Sequence, residues 1–426
     1  MKVLIIAYYW PPSGGSGVQR WLKFVKYLPQ FGVTPYVFTP ENPSFDMRDE
    51  SLLKDVPNEA EVIHFPIWEP YGIGKKVSGQ SISNSPTSKN SGGFVKSILT
   101  WMRGNLLFPD PRIFWVRPSV QFLDPFLRSN GIDIVITTGP PHSVHLIGQR
   151  LKKKNPKLKW IADFRDPWSE WGMLLSFKVT SWAKRIHQRM ERNVLTQADR
   201  VITITPFYVR QLQRLSGRSI DLITNGFDED DFKDLKVERE KKFVIRHIGV
   251  VNPACDPRPF MNAVRSMIQS DKEFASHVEI VFTGQVNPDF ESFVLADDEL
   301  NRITTFQSSV PHHEVVKLLG QSSMLLLVLT GYKDGEGFLP GKLFEYFATG
   351  LPIMCVGPLP SDAANILNEL GYDKMTTGAD QSEIHETLRK HFSAWQANSV
   401  EVKKVDASAF SRKQLTFKLV ELLKSI

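Results

Sequence analysis

The sequence predicts an α/β protein made of two doubly wound domains, each built around a parallel sheet. The chain has 426 residues, which is more than one ordinary hydrophobic core accommodates. Short apolar runs alternate with segments that repeat apolar residues at helical spacing, a pattern typical of parallel α/β architecture. The alternation occurs twice, before and after a charged run at 236–242 (KVEREKK), which we interpret as a linker.

Ten apolar runs are the predicted strands. Those of the first domain, residues 1–235, are 3–7, 35–39, 132–137, 160–163, 201–205 and 220–224. Those of the second domain, residues 236–407, are 243–248, 277–283, 324–330 and 352–356. The amphipathic segment 408–426 predicts a helix that completes the first domain.

Composition narrows the classes of partner and the compartment. The only two cysteines, Cys255 and Cys355, form neither a disulfide framework nor a zinc-binding spacing, which favours a reducing cytoplasm. A net charge of +6 suits anionic small molecules or an anionic membrane surface. We expect no nucleic-acid partner, because no recognition motif accompanies that charge. The apolar start is interpreted as a first strand and not as a signal peptide.

Two neighbouring segments depart from the alternation. Residues 72–93 are rich in Ser, Gly, Asn and Lys, and predict a mobile loop. Residues 94–120 interleave Trp and Phe with Lys and Arg. We favour a core helix followed by an irregular loop for 94–120, because aromatic side chains bury readily. The alternative is an interfacial surface that lies near anionic lipids.

A glycine-rich loop follows the first strand and contains Gly14 and Gly15. Glycines allow a backbone to approach a ligand closely, and the start of the next helix offers free N–H groups, so the loop suits a diphosphate. An ordinary strand-to-helix turn explains it equally well. The loop lacks the dinucleotide-binding spacing, and no acidic residue ends the second strand, which argues against a nicotinamide cofactor.

A second candidate site lies at residues 337–350, where a Pro-Gly turn predicts the start of a helix that Gly350 ends. Lys342 and Glu345 are three residues apart and therefore share a face of the first turn. Lys342 and the helix N–H groups would hold a diphosphate, and Glu345 would accept hydrogen bonds from ribose hydroxyls. Gly341 and Leu343 are assigned to the same donor site. The alternative is a simple surface ion pair.

The stretch PGKLFEYFATGLPI, residues 340–353, resembles the donor-binding motif of the retaining GT-B glycosyltransferases, the glycosyltransferase group one family. Four further segments are similar to segments of that family and occur in the same order. They are the glycine loop, ADFRDPW at 162–168, ITITPFYVRQLQ and ITNGFD. The resemblance implies two Rossmann-like domains that face each other across a cleft. It also implies transfer of a hexose from a nucleotide-sugar to a glycan or lipid-linked acceptor, with no metal and no cofactor. The implied setting is bacterial surface polysaccharide or glycolipid assembly, at the cytoplasmic face of the inner membrane.

The resemblance also implies roles for individual residues. Arg258 and Lys342 would stabilise the leaving nucleoside diphosphate, the main electrostatic task of the reaction. His142 would lie near the donor sugar, or else cap or pack against a helix. Glu345 would bind the ribose.

A cluster at a predicted strand end contains Asp163, Arg165 and Asp166, and such ends are where ligands bind in doubly wound sheets. It suits either a general base in the acceptor site or an Asp–Arg structural lock, and we favour the lock for Arg165.

The sequence departs from the family pattern at one position. The family has two glutamates with seven residues between them, and neither Glu336 nor Asp334 has that spacing from Glu345. Two further functions therefore stay open: a sugar-nucleotide epimerase with the GT-B fold, and a sugar-nucleotide-binding protein without catalysis.

Overall fold

The computed structural model divides into two compact units. The first comprises Met1–Thr224 with Leu415–Ile426, and the second comprises Asn225–Gln414. The structure describes residues 1–44, 48–69, 94–170, 174, 177–329, 331, 335–399, 402 and 406–426. The predicted loop at 72–93 and Asp334 lie outside the described residues.

The first unit contains a seven-stranded parallel sheet in the order β3-β2-β1-β4-β5-β6-β7. Its strands are β1 (Lys2–Ala7), β2 (Thr34–Pro40), β3 (Glu61–Phe65), β4 (Ile134–Gly139), β5 (Lys159–Phe164), β6 (Arg200–Thr203) and β7 (Asp221–Leu222). All six predicted runs overlap a strand, whereas β3 was not predicted. β1 is buried on both faces, which explains its continuous apolar run.

The second unit contains a five-stranded parallel sheet in the order β10-β9-β8-β11-β12. Its strands are β8 (Phe243–Ile248), β9 (Val278–Thr283), β10 (Thr304–Gln307), β11 (Met324–Val328) and β12 (Ile353–Val356). Each of the four predicted runs overlaps a strand. The unpredicted strand, β10, is short and half exposed at the sheet edge.

Helices connect the strands of both units. The described helices are α1 (Ser16–Tyr27), α2 (Phe94–Asn105), α3 (Ile113–Asn130), α4 (Ser143–Lys154), α5 (Ser181–Gln197), α6 (Pro206–Ser216), α7 (Arg258–Ser270), α8 (Lys272–His277), α9 (Pro288–Leu295), α10 (Asp298–Ile303), α11 (His312–Gly320), α12 (Gly341–Thr349), α13 (Asp362–Glu369), α14 (Gln381–Gln396) and α15 (Arg412–Lys424). Short 3-10 turns lie at Leu28–Phe31, Glu50–Asp55, Glu229–Phe232, Gly335–Gly337 and Ser408–Phe410.

The first unit packs helices on both faces of its sheet. Trp21 and Leu22 of α1 share an apolar cluster with Leu419 and Leu423 of α15. Helices α3 and α4 contribute to a second cluster, in which Trp115 is buried. Residues of β1 enter both clusters alternately, because successive side chains of a strand point to opposite faces. The last helix therefore completes the core of the first unit.

The chain enters the second unit at Asn225. Phe227 and Phe232 pack against an apolar cluster of that unit. The charged run predicted as a linker lies within it, and the Glu238 amide donates to the Gly320 carbonyl at 2.9 Å.

Each sheet has one point where the order of its strands reverses. In the first unit the chain builds β1, β2 and β3 toward one edge and then places β4 on the other side of β1. The second unit repeats this arrangement with β11 on the other side of β8. Connections that leave the carboxyl ends of such neighbouring strands run to opposite faces of the sheet, which opens a crevice for ligands. The ends of β1 and β4, and of β8 and β11, are thus the expected binding positions.

Candidate functional site

The helix predicted to bind the donor begins beside the reversal point of the second sheet. α12 starts at Gly341 after Pro340, and Gly350 ends it in the left-handed conformation with a φ of 68°. Pro340 has no side chain that can cap the helix, so its first N–H groups are open to a ligand. The Leu343 amide donates to the Pro340 carbonyl at 3.1 Å and the Leu343 side chain is buried. Leu343 therefore contributes packing, while Gly341 and Lys342 offer the backbone donors.

The Lys342 side chain turns toward the strand ends. Its Nζ lies 3.2 Å from Nε2 of His247, which is buried in β8. A Cβ on Gly249, which follows β8 with a φ of 126°, would lie 3.0 Å from that Nζ. Glycine at this position therefore leaves room for the ammonium group, and its positive φ disfavours other residues.

Burial controls the charge state of this pair. Burial lowers the pKa of Lys342 to about 8, against the opposing effects of Cys255 and Glu345. Burial, reinforced by the Lys342 charge, also lowers the pKa of His247 well below its usual value. At neutral pH the site therefore holds a cationic lysine beside a neutral imidazole.

Glu345 lies one turn further along α12 and is half buried. Within the described part of the chain its carboxylate makes no ion pair and no hydrogen bond, with Lys342 or with any other residue. The surface ion pair considered from the sequence is therefore not formed. Lys342 and Glu345 are both available to a ligand from the same end of one helix.

Arg258 begins α7, and its guanidinium contacts an acidic side chain, a backbone carbonyl and an aromatic ring close to it. Nη1 forms an ion pair with Asp256 at 2.6 Å, and Nη2 donates to the Asp289 carbonyl at 3.0 Å. The guanidinium also lies over the Phe293 ring, 5.4 Å from its centroid. Arg258 and Lys342 make no direct contact with each other, and each contacts its own partner, Asp256 and His247 respectively.

Two acidic positions, Glu336 and Asp334, were weighed for the first family glutamate. Glu336 lies in a 3-10 turn and is exposed. Asp334 lies outside the described residues. In the part of the chain that the structure describes, no group of three or more His, Cys, Asp or Glu side chains is placed to hold a metal ion.

The glycine loop of the first unit lies at the reversal point of the first sheet. Gly15 precedes α1 with a φ of 88° and no side-chain cap, and open space surrounds the position of a Cβ on it. Gly14 is half buried beside it. The conformation requires glycine at position 15, and the uncapped helix start provides donors for an anion.

Arg165 ties the two loops of this reversal point together. It donates from Nη1 to the Gly17 carbonyl at 2.5 Å, from Nη2 to the Pro140 carbonyl at 2.7 Å, and from Nε to the Gly139 carbonyl at 3.1 Å. These three backbone bonds, and the burial of Arg165, are the contacts of a structural lock. The half-buried Asp166 supports the charged guanidinium electrostatically.

Asp163 is the second-last residue of β5 and is fully buried. Its carboxylate accepts from Trp21 at 2.6 Å and from Thr138 at 2.9 Å, and it forms an ion pair with Arg20 at 3.1 Å. Arg20 Nη1 in turn donates to the Thr224 carbonyl at 2.8 Å. Because its oxygens are already engaged by these donors, the carboxylate is better suited to fixing α1 on the sheet than to proton transfer.

His142 lies at the start of α4 and packs flat against Trp168, with ring centroids 5.1 Å apart and an interplanar angle of 4°. Burial, with further effects from His145 and Arg165, lowers the pKa of His142 well below its usual value. Neither ring nitrogen makes a hydrogen bond of standard geometry among the described residues, although the Pro167 carbonyl lies near enough to oppose the shift. The imidazole is therefore neutral and packed, and both of its ring nitrogens are buried.

Three residues at these two positions were not predicted from the sequence. Arg20 lies in α1 and is buried. Its only signal in the sequence is that a charged residue stands among the apolar residues that repeat at helical spacing. His247 lies near the end of β8, and Gly249 follows that strand. A polar residue two positions before a glycine at the carboxyl end of a parallel strand is the signal that would have found them.

Sequence comparison finds a family match in the first unit. Residues 96–226 match the model of the glycosyl transferase 4-like domain. A search of curated proteins found no match. The matched segment contains His142 and the Asp163–Asp166 cluster, and it ends at the second residue of the second unit.

Solved structures with the same fold span the whole chain. A glycosyltransferase from Rickettsia africae superposes with a TM-score of 0.63 at 14% identity, covering 100% of this chain and 98% of that one. WaaG, a glycosyltransferase involved in lipopolysaccharide biosynthesis, gives 0.59 at 15%, with 100% of both chains covered. A trehalose-6-phosphate protein from E. coli bound with UDP-2-fluoro glucose gives 0.62 at 11%, covering 100% and 99%. These likenesses confirm the predicted α/β fold class of the GT-B type, and with the domain match they support a glycosyltransferase enzyme.

Proposed function

We propose that this chain transfers a sugar from a nucleoside-diphosphate donor to a glycan or lipid-linked acceptor, with retention of the anomeric configuration. The observation that carries the proposal is the placement of Lys342. The half-buried Lys342 lies at the uncapped start of α12, beside the strand reversal of the second sheet, and its ammonium forms no ion pair with Glu345. This arrangement suits a diphosphate, whose charge grows as the glycosidic bond breaks. The WaaG and UDP-2-fluoro glucose likenesses agree with a sugar-nucleotide donor.

The remaining predicted residues take proposed roles that follow their contacts. Arg258 would supply a second cation to the diphosphate, which requires it to exchange its Asp256 partner for phosphate. His142 would bond to a sugar hydroxyl as a neutral ring. Asp163 and Arg165 would hold the first-unit loops in place without contacting the reacting atoms. The two cations would carry the leaving-group charge, so we propose a reaction without a metal ion or a cofactor.

A titration panel tests the donor site through Glu345. UDP, GDP, ADP and their sugar conjugates would be titrated by calorimetry into wild type and Glu345→Ala. We expect micromolar binding of one nucleotide, and a roughly tenfold or larger loss in the variant, about 1.4 kcal/mol, because the carboxylate no longer accepts from the ribose hydroxyls. Glu369→Ala, which removes an exposed carboxylate at the end of α13, is the matched control.

Each outcome of the panel has a consequence. Absence of binding to every nucleotide would refute the proposed function. Equal affinity in the two proteins would remove the ribose role of Glu345. With a donor identified, analysis of the products separates transfer to an acceptor from epimerisation, and binding without turnover would indicate the non-catalytic alternative.

We also propose that the protein works at the cytoplasmic face of a bacterial inner membrane, in surface polysaccharide or glycolipid synthesis. The supporting feature is a surface formed by the end of α2 and the start of α5, where Trp101, Leu106 and Trp182 are exposed. Asn105 joins the two helix ends: it donates to the Lys178 carbonyl at 3.3 Å and accepts from the Thr180 amide at 2.8 Å.

Charge on this surface favours anionic lipid. Its basic residues are Arg103, Lys178, Lys184 and Arg185, and Lys184 pairs with the exposed Glu170 at 3.4 Å. Trp182 also contacts the Phe108 ring at a centroid distance of 5.7 Å, which leaves much of the indole in solvent. Aromatic side chains surrounded by cations are typical of surfaces that lie at the membrane interface. None of the described helices combines the length and apolar character needed for a membrane span.

Vesicle sedimentation tests this surface. Replacing Trp101 and Trp182 by serine should lower partitioning onto vesicles with anionic lipid roughly tenfold, because burying parts of two indoles in the interface is worth on the order of 1–2 kcal/mol. Leu295→Ser with Leu359→Ser, which removes two exposed apolar side chains of the second unit, is the control. Unchanged partitioning of the tryptophan variant, or equal binding to neutral vesicles, would contradict the proposal.

A further inference from the structure

We infer that His247 is a positioning residue that aims the Lys342 ammonium while leaving its charge intact. The inference rests on the proposed function, because it assigns a partner to the lysine that would hold the donor diphosphate. It begins from the other nitrogen of the imidazole. Nδ1 of His247 lies 3.0 Å from the carbonyl oxygen of Leu326 in the neighbouring strand β11.

That contact selects one tautomer. A carbonyl oxygen only accepts, so Nδ1 must carry the proton and donate it. In the neutral ring the proton is then absent from Nε2, whose lone pair faces Lys342 Nζ at 3.2 Å. Lys342 donates to that lone pair, and the ring is satisfied at both nitrogens. The Val250 carbonyl also lies near the ring and, like the Leu326 carbonyl, opposes the lowering of the His247 pKa.

A neutral acceptor has an advantage that a carboxylate lacks. Either an imidazole or a carboxylate can fix the direction of a lysine side chain by accepting a hydrogen bond from it. A carboxylate would also neutralise the positive charge that binds the phosphate, whereas a neutral imidazole would not. The imidazole is kept neutral by burial and by Lys342 itself. An ammonium group has three hydrogens, so two remain for phosphate oxygens after one is given to His247.

The surroundings leave the ammonium few other positions. Gly249 approaches Nζ closely, and Tyr346 occupies the next turn of α12, where its hydroxyl accepts from the Ile248 amide at 3.3 Å. The Tyr346 hydroxyl also donates to the Leu326 carbonyl at 3.4 Å, the same oxygen that His247 uses. Lys342 and Tyr346 thus both anchor α12 to the carboxyl ends of β8 and β11, at the point where this sheet is expected to bind its ligand.

The first test needs no nucleotide. Long-range ¹⁵N correlation NMR of histidine-labelled protein reports which nitrogen of His247 is protonated. We expect the Nδ1–H tautomer from pH 6 to pH 8, with Nε2 unprotonated. A proton on Nε2 in place of Nδ1 would overturn the inference whether or not any nucleotide binds.

The second test is a double-mutant cycle on affinity for the nucleoside diphosphate found by the panel. In His247→Asn the amide nitrogen replaces Nδ1 and still donates to Leu326, but nothing replaces Nε2. We expect an affinity loss of about threefold to tenfold, the size of one net hydrogen bond. His247→Gln, which returns an acceptor toward Lys342, should recover most of it. Affinity for the matching nucleoside should stay unchanged in both variants.

The cycle separates positioning from general damage to the unit. In a Lys342→Met background, His247→Asn should cause no further loss, because its partner is already gone. Additive losses, or an equal loss of nucleoside affinity, would overturn the inference. His385→Asn, which removes a half-buried imidazole bonded to the Ala263 carbonyl at 2.8 Å, is the control for replacing a histidine in this unit. No nucleotide binding by the wild type would refute the proposed function and the phosphate role, while the tautomer result would still decide the hydrogen bond.

Discussion

Replacing Asp163 by asparagine should destabilise the first unit by about 3–5 kcal/mol, because it leaves the buried Arg20 guanidinium without its counter-charge. The amide also presents hydrogens where a carboxylate oxygen now accepts from Trp21 and Thr138. Hydrogen exchange followed by mass spectrometry measures the loss for each unit separately. Amides of β1, β4 and β5 should lose protection, while those of β8 and β11 should not.

Asp124→Asn is the matched control for this substitution. Asp124 pairs with Arg128 at 2.7 Å and with Lys154 at 3.1 Å, but both partners are largely exposed. A surface pair of this kind contributes at most about 1 kcal/mol. A loss in Asp163→Asn no larger than in the control would mean that Arg20 finds another counter-charge, and would contradict the role of Asp163 in fixing α1 on the sheet.

Replacing Lys342 by methionine should lower kcat/KM for the identified donor by about 100-fold to 1000-fold, comparable to the removal of one preorganised electrostatic donor from a reaction centre. Methionine keeps much of the length of the side chain but removes the cation beside His247. Steady-state rates with the donor found by the panel measure the loss. Lys317→Met, in the exposed last turn of α11, is the control and should change the rate less than twofold. A fall of less than tenfold in Lys342→Met would contradict the diphosphate role.

The same lysine predicts a pH dependence with a definite sign. Its pKa is lowered to about 8, so the ammonium is charged below that pH and loses its proton above it. The groups that act on it electrostatically are His247, Cys255 and Glu345. Nucleoside diphosphate affinity should therefore fall as the pH rises from 7 to 9. Lys342→Arg should remove this fall, because a guanidinium stays charged over the whole range; an identical fall in the variant would assign it to another group.

The sequence predicted the sheets well because their central strands are buried on both faces. In a chain where such runs alternate with helical segments, a continuous apolar run such as VLIIA in β1 predicts a strand of a parallel sheet that is covered on both faces. The two strands that it missed, β3 and β10, lie at sheet edges and carry exposed polar residues. Edge strands of this composition resemble loops, because exposed charges are how proteins protect an edge from unwanted pairing.

The candidate site was predicted in part. The ends of α12 were readable because proline and glycine have fixed conformational preferences, and Lys342 followed from helical spacing. The direction of its side chain was not readable, because that depends on His247, which lies 95 residues earlier in the chain on another element. Asp163 shows the same limit: its sequence neighbours suggested Arg165 as partner, whereas its ion pair is with Arg20, 143 residues away. Local patterns carry no information on such distant pairings.

The return of α15 to the first unit has a consequence for the synthesis of the protein. The residues that this helix contributes to the core, among them Leu415 and Leu419, are translated after the whole second unit. A nascent chain that has emerged only as far as Thr224 lacks the helix that covers α1 and one face of its sheet. The core of the first unit therefore stays incomplete, with apolar side chains of α1 exposed, until the ribosome has synthesised the second unit. The domain that begins first is the one that finishes last.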